Sequence, residues 1–183
     1  MRRWNAVISA LIMVLMLVHG VIGGYQMAGM MAGGLKWGTI LSWIMLLLVV
    51  LHLLIGIKLT MDTITACKRS GVYYWKENKM FLIRRISGLA MILLIFYHMI
   101  ILGGTNGQRY RLHLFEGIQL TGSLLFVLIL AVHILSNIKS LFMGFGAKGL
   151  QKYRIDILFV MSIILLFCAI AFVIYYFRWN IWW

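Results

Sequence analysis

Five long apolar runs, near residues 5–24, 38–58, 85–104, 117–136 and 155–177, leave this chain few ways to fold. About 20 helical residues cross the roughly 30 Å hydrocarbon core of a bilayer, and each run meets that length. Apolar residues make up 63% of the chain and charged residues 11%, too little polar surface to cover a core in water. The runs lack period-2 alternation and are too long for barrel strands. Helices are then the spanning structure that pairs every backbone amide internally. The sequence therefore predicts an all-α membrane protein, a five-transmembrane-helix bundle forming a single domain over residues 1–183. The opening MRRWNAVISALIMVLMLVHG has basic residues before an apolar stretch, as a secretory signal does. Its run is long and no small-x-small cleavage site ends it, so it reads as the first span. The absence of proline argues against the interrupted helices of many transporters.

A formal net charge of +13 would suit nucleic acid, but its distribution suits a membrane. Arg2 and Arg3 precede the first span. Lys58, Lys68, Arg69, Lys76, Lys79, Arg84 and Arg85 fill the second connection, and Lys139, Lys148, Lys152 and Arg154 the fourth. Lys36, Arg109, Arg111 and Arg178 fall on the other side. The positive-inside rule places the N-terminus in the cytoplasm and the C-terminus outside, where YYFRWNIWW supplies interfacial aromatics. No nucleic-acid partner is expected. Cys67 lies in a basic segment and Cys168 in the fifth run, so neither a disulfide framework nor a CxxCH haem-attachment motif exists.

Four histidines, His19, His52, His98 and His133, occupy the first four spans, one in each. A lone intramembrane histidine is more often bonded to a neighbouring helix than to a metal. Depth alters that expectation. At 1.5 Å per residue, His52 lies about 9 Å before Lys58 and His133 about 9 Å before Lys139, both on helices descending to the inner side. His19 lies about 24 Å beyond Arg3 and His98 about 20 Å beyond Arg85 on ascending helices, each shortly before a glycine pair expected to end the span. Two imidazoles thus share an inner level and two an outer level. A structural zinc site asks for four ligands at one level, and a hydrolytic site for a nearby carboxylate; the spans offer neither. Paired imidazoles alone fit the axial ligation of two non-covalent b-type haems, whose filled coordination suits electron transfer.

A flat macrocycle needs room between helices. Ten residues before each histidine stands a small residue, Ser9, Ser42, Gly88 or Ser123, with Ser87 and Gly122 beside two of them. Ten residues is about 15 Å, so each lies near the level of the other haem on a helix that does not ligate it. Ordinary small-residue helix packing explains such positions equally well. The chain also repeats: LHLLIGIK and VHILSNIK share H-x-L-x-x-I-K, and RRW before the first span is echoed by RRISG before the third.

RRISGLAMILLIFYH, Arg84 to His98, resembles the R-[VI]-[ST]-G-x9-H signature of the dihaem cytochrome b membrane anchors of succinate:quinone oxidoreductases and quinol:fumarate reductases. LHLLIGIK resembles that family's H-x-x-x-G-[IV]-[KRY] pattern, and the likeness in span number and histidine order covers the whole chain. The resemblance implies that His52 and His133 ligate a proximal haem near a cytoplasmic iron–sulfur subunit, and His19 and His98 a distal haem. It implies propionate or quinone contacts for Arg85 and Ser87. It further implies a flavoprotein partner, a quinone substrate (menaquinone by analogy), and a place in a bacterial cytoplasmic membrane. The chain itself would be an electron-transfer subunit, with dicarboxylate chemistry left to its partners, since it has neither a dinucleotide fingerprint nor a cysteine cluster.

The chain departs from some dihaem members in having no carboxylate within a span. Asp62 and Asp156 lie near the inner edge, Glu77 in a basic loop and Glu116 at the outer start of the fourth span. Glu116 is the one outer candidate for accepting quinol protons. Arg109, Arg111 and His113 match no motif and read as a solvated loop. Three alternatives stay open: an anchor for a hydrogenase or formate dehydrogenase, a haem-free transporter lined by titrating histidines, and a structural anchor without cofactors.

Overall fold

The computed structural model describes residues 1–33, 36–71, 79–102, 105–106, 109–110, 115–146 and 152–181. Its helices are α1 (Arg2–Met27), α2 (Lys36–Ser70), α3 (Lys79–Leu102), α4 (Gly117–Gly144) and α5 (Arg154–Ile181). All five are long and apolar enough to cross a bilayer, as the runs predict. The architecture is that of a multi-pass membrane protein. Between α3 and α4, strands β1 (Thr105–Asn106) and β2 (Arg109–Tyr110) pair antiparallel, Thr105 with Tyr110 and Asn106 with Arg109. The sequence reading had no strand there.

The helices outrun the apolar stretches because a backbone ladder continues wherever residues tolerate helix; hydropathy marks only the part suited to lipid. The clearest case is α2, predicted to end near Lys58 but continuing to Ser70. Its 35 residues make about 52 Å of helix, far more than a bilayer core needs. Lys68 and Arg69 in its last turn complement the carbonyl end of the dipole. Gly71, at φ 67°, stops it. At the other helix starts, Asp156 lies in the first turn of α5 and Glu116 is the N-cap residue of α4. Acidic side chains are favoured at both places.

Contrary to expectation, Gly23–Gly24 does not end α1, which continues to Met27. Gly24 has a packing role: a Cβ there would overlap the ring of Phe167 on α5. A Cβ on Gly20 would come within 3.0 Å of Cys168 Sγ. These glycines let α5 lie close against α1. The corresponding Gly103–Gly104 pair lies outside the described residues.

Helix α1 packs on α2, α5 and α4, and α4 packs on α3 and α5. Among the described elements, the backbone of α2 comes close only to that of α1, and the backbone of α3 only to that of α4. The buried cluster joins α1, α4 and α5 through Met27, Phe115, Val127, Leu165, Ala171, Phe172 and Tyr175. Arg178 Nη1 donates to Met27 O at 3.0 Å, and Asn180 Nδ2 to Phe115 O at 3.0 Å, tying the end of α5 to its neighbours. The helix without a histidine is thus the scaffold. Leu47, Leu93, Phe96 and Leu166 are exposed on the outside, a coat suited to lipid.

Candidate functional site

The packing leaves α1 unpacked against α3 and α2 unpacked against α4. Histidines project into those two gaps. His19 of α1 meets His98 of α3 with ring centroids 6.2 Å apart and planes at 71°. His52 of α2 meets His133 of α4 at 6.4 Å and 85°. These are the two couples expected from depth. An imidazole nitrogen binds a first-row metal at about 2 Å and lies a little over 1 Å from its ring centre, so two rings trans on one ion stand roughly 6 Å apart. Both separations match that figure. Edge-to-face ring pairs also stand about 4.5–7 Å apart, so what suits a shared ion is the recurrence of one separation at both levels, each time between helices whose backbones do not pack.

Ring orientation is set from behind. Ser9 Oγ lies 3.1 Å from His52 Nδ1 and donates to Asn5 O at 2.7 Å. Ser42 Oγ lies 3.1 Å from His19 Nδ1 and donates to Gly38 O at 2.8 Å. Ser87 Oγ lies 3.1 Å from His133 Nδ1 and donates to Arg84 O at 3.3 Å. With each hydroxyl proton directed to a carbonyl, the serine oxygen accepts from Nδ1–H. That leaves Nε2 unprotonated and free to bind a metal. His98 has a different backing, stacked on Phe126 of α4 at 5.0 Å and 22°.

The serine positions were legible; their work was not. Ser9 and Ser42 lie at the level of the other histidine couple, as their spacing implies, yet they hold rings and do more than make room. The available signal was the equal spacing of polar residues from the histidines on paired helices. Ser87, expected to contact a propionate or quinone, is buried and directed at His133. Gly88 stands beside the same ring, where a Cβ would meet His133 Cε1 at 3.3 Å. Gly122 serves helix packing, since a Cβ there would overlap the Tyr97 ring. Ser123 is buried on α4.

Arg85 reaches from α3 across the unpacked space to Gly56 O of α2, a long contact of 3.5 Å, with its guanidinium over the Phe81 ring at 5.0 Å. Its Nε is buried without a hydrogen-bond partner, an orphan donor beside the inner couple that an anionic group would satisfy. Gly56, the glycine four residues after His52, thus contributes a carbonyl shared by Arg85 and Thr60, whose hydroxyl donates to it at 2.6 Å. Arg84 Nε donates to Ser136 O at 2.8 Å, joining α3 to α4.

Among the described residues, no three His, Cys, Asp or Glu side chains converge on one point. A protein-only metal cage is therefore not built from them, whereas a macrocycle supplying four nitrogens needs only the two imidazoles present at each level. The donor set fits haem. Glu116 is occupied in a helix start, its backbone N–H donating to Gln119 Oε1 at 2.9 Å. Arg111, His113 and Glu77 lie outside the described residues. Both Cys67 and Cys168 are free thiols.

No protein-family model, no curated protein and no solved structure matches this chain.

Proposed function

We propose that the chain is the membrane anchor and electron-transfer subunit of a succinate:quinone oxidoreductase or quinol:fumarate reductase. It would lie in a bacterial cytoplasmic membrane with its N-terminus cytoplasmic and its C-terminus outside. The observation that carries the cofactor assignment is the recurrence, at two levels, of facing imidazoles near 6 Å. The motifs RRISG and LHLLIGIK carry the choice of complex.

When bound, each b-type haem would supply a one-electron iron couple. His52 and His133 would hold the inner group and His19 and His98 the outer one. Ser9 touches His52, and ten residues further along the same helix stands His19, so the two centres are about 15 Å apart along the bundle. Arg85 offers its orphan Nε to an acidic group at the inner level. The surrounding aliphatic side chains keep water from the path and so tune the potentials. Electrons would pass between a docked iron–sulfur subunit and a membrane quinone, with a flavoprotein subunit carrying the dicarboxylate reaction.

The test is a reduced-minus-oxidised absorption spectrum with haem quantitation on the purified chain, together with identification of copurifying subunits. Two low-spin haems per chain and a flavoprotein with an iron–sulfur protein support the reading. A colourless, fully folded preparation with pH-dependent flux would replace it with the transporter. Haem with a hydrogenase or formate dehydrogenase would reassign the complex.

A further inference from the structure

Ser9 and Ser42 form a reciprocal arrangement on adjacent helices: α1 holds the ring of α2 through Ser9, and α2 holds the ring of α1 through Ser42. Ser87 of α3 does the same for His133 of α4. In each case the group runs His Nδ1–H to Ser Oγ, and Ser Oγ–H to a carbonyl on the serine's own helix, four residues back for Ser9 and Ser42 and three for Ser87. Such a chain polarises along its length, and a hydrogen bond from the second ring nitrogen makes a ligating imidazole more basic. We infer that Ser9, Ser42 and Ser87 are positioning residues that fix the tautomer of three ligand rings and lower the reduction potentials of the two centres, two acting on the inner centre and one on the outer.

This rests on the bis-imidazole reading above. Its distinctive content is crossed assignment. Ser9 shares a helix with His19, an outer ligand, yet acts on His52, an inner one. A merely structural disturbance of α1 would reach His19 first. The clasp moves the other centre.

The experiment is a redox titration of the purified, haem-loaded chain, with components assigned by His52→Ala and His19→Ala, each of which removes one haem. Ser9→Ala and Ser87→Ala should each raise the potential of the inner component alone, and their combination should raise it further. Ser42→Ala should raise the outer component alone. The expected size is a two- to tenfold rise in the reduced-to-oxidised ratio at fixed ambient potential, or about 18 to 59 mV for a one-electron couple. If an alanine variant loses a haem, Ser→Thr at the same position should restore both occupancy and potential; failure to restore them overturns the clasp. So do unchanged potentials at full occupancy, or Ser9→Ala and Ser42→Ala moving the same component. Two haems in the wild-type chain with immobile potentials would sink the clasp and leave the haem reading standing. A wild-type chain that binds none sinks both.

Discussion

At Gly88 there is barely room for a methyl group. A methyl there would lie 3.3 Å from His133 Cε1, close enough that the ring must give by a few tenths of an ångström. If the chain holds two haems as proposed, Gly88→Ala should therefore keep both. Gly88→Val adds bulk to a ring already held by Ser87, and overpacking of this kind costs about 1–3 kcal/mol. It should lower inner-haem occupancy while the His19–His98 centre stays full, as read by haem content and the spectrum of the remaining component. Equal loss of both haems would mean that Gly88 serves general helix packing. The ring planes give a second expectation. Were the proposed haems bound by these rings, imidazole planes at 71° and 85° would leave the iron orbitals that π-bond with them nearly equal in energy. Ferric centres of this kind give strongly anisotropic low-spin paramagnetic resonance, whereas a rhombic spectrum would require the planes to be near parallel. The histidines were readable in the sequence because their rarity in apolar runs and their matched depths leave few explanations. The angle between rings and the serine hydroxyls behind them were not, since both depend on the rotation of each helix about its own axis.

At the level of elements, the contrast is between helices that carry ligands and the one that carries none. Hydropathy identified all five, but it treated α5 as one span among equals. The structure makes α5 the wall against which α1 and α4 are fixed, through Gly20, Gly24 and the Phe115–Phe172–Tyr175 cluster. Gly24→Leu should force α1 away from Phe167 and cost about 1–3 kcal/mol. Because His19 lies about a turn and a half from that contact, the variant should show a lower thermal midpoint in detergent and, on the dihaem proposal, loss of the outer haem before the inner one. An unchanged midpoint would show that α5 has room to retreat. The glycine pair misled the sequence reading for a physical reason: glycine weakens a helix by only about 1 kcal/mol relative to alanine, an amount that close packing against a neighbour recovers. The end of α2 was misplaced for a related reason, since Leu59–Ser70 holds helix-compatible residues that hydropathy alone does not count as span.

For the whole molecule, the two cysteines report which way the bundle faces. Basic residues gather at the end where α1 begins and α2 finishes, and the orientation proposed above would put that end in the cytoplasm. Cys67 stands there, on the part of α2 that extends past Lys58. Cys168 lies within the fifth apolar helix, facing Gly20 of α1. A membrane-impermeant thiol reagent should leave Cys67 unmodified in intact cells and modify it in inverted membrane vesicles, while Cys168 stays protected in both until the protein is denatured. Cys67→Ser should abolish the vesicle signal, establishing which thiol reacted. Labelling of Cys67 from the outside would invert the bundle. The His52–His133 couple would then lie near the outer face, and an iron–sulfur partner in the cytoplasm would meet the His19–His98 centre first.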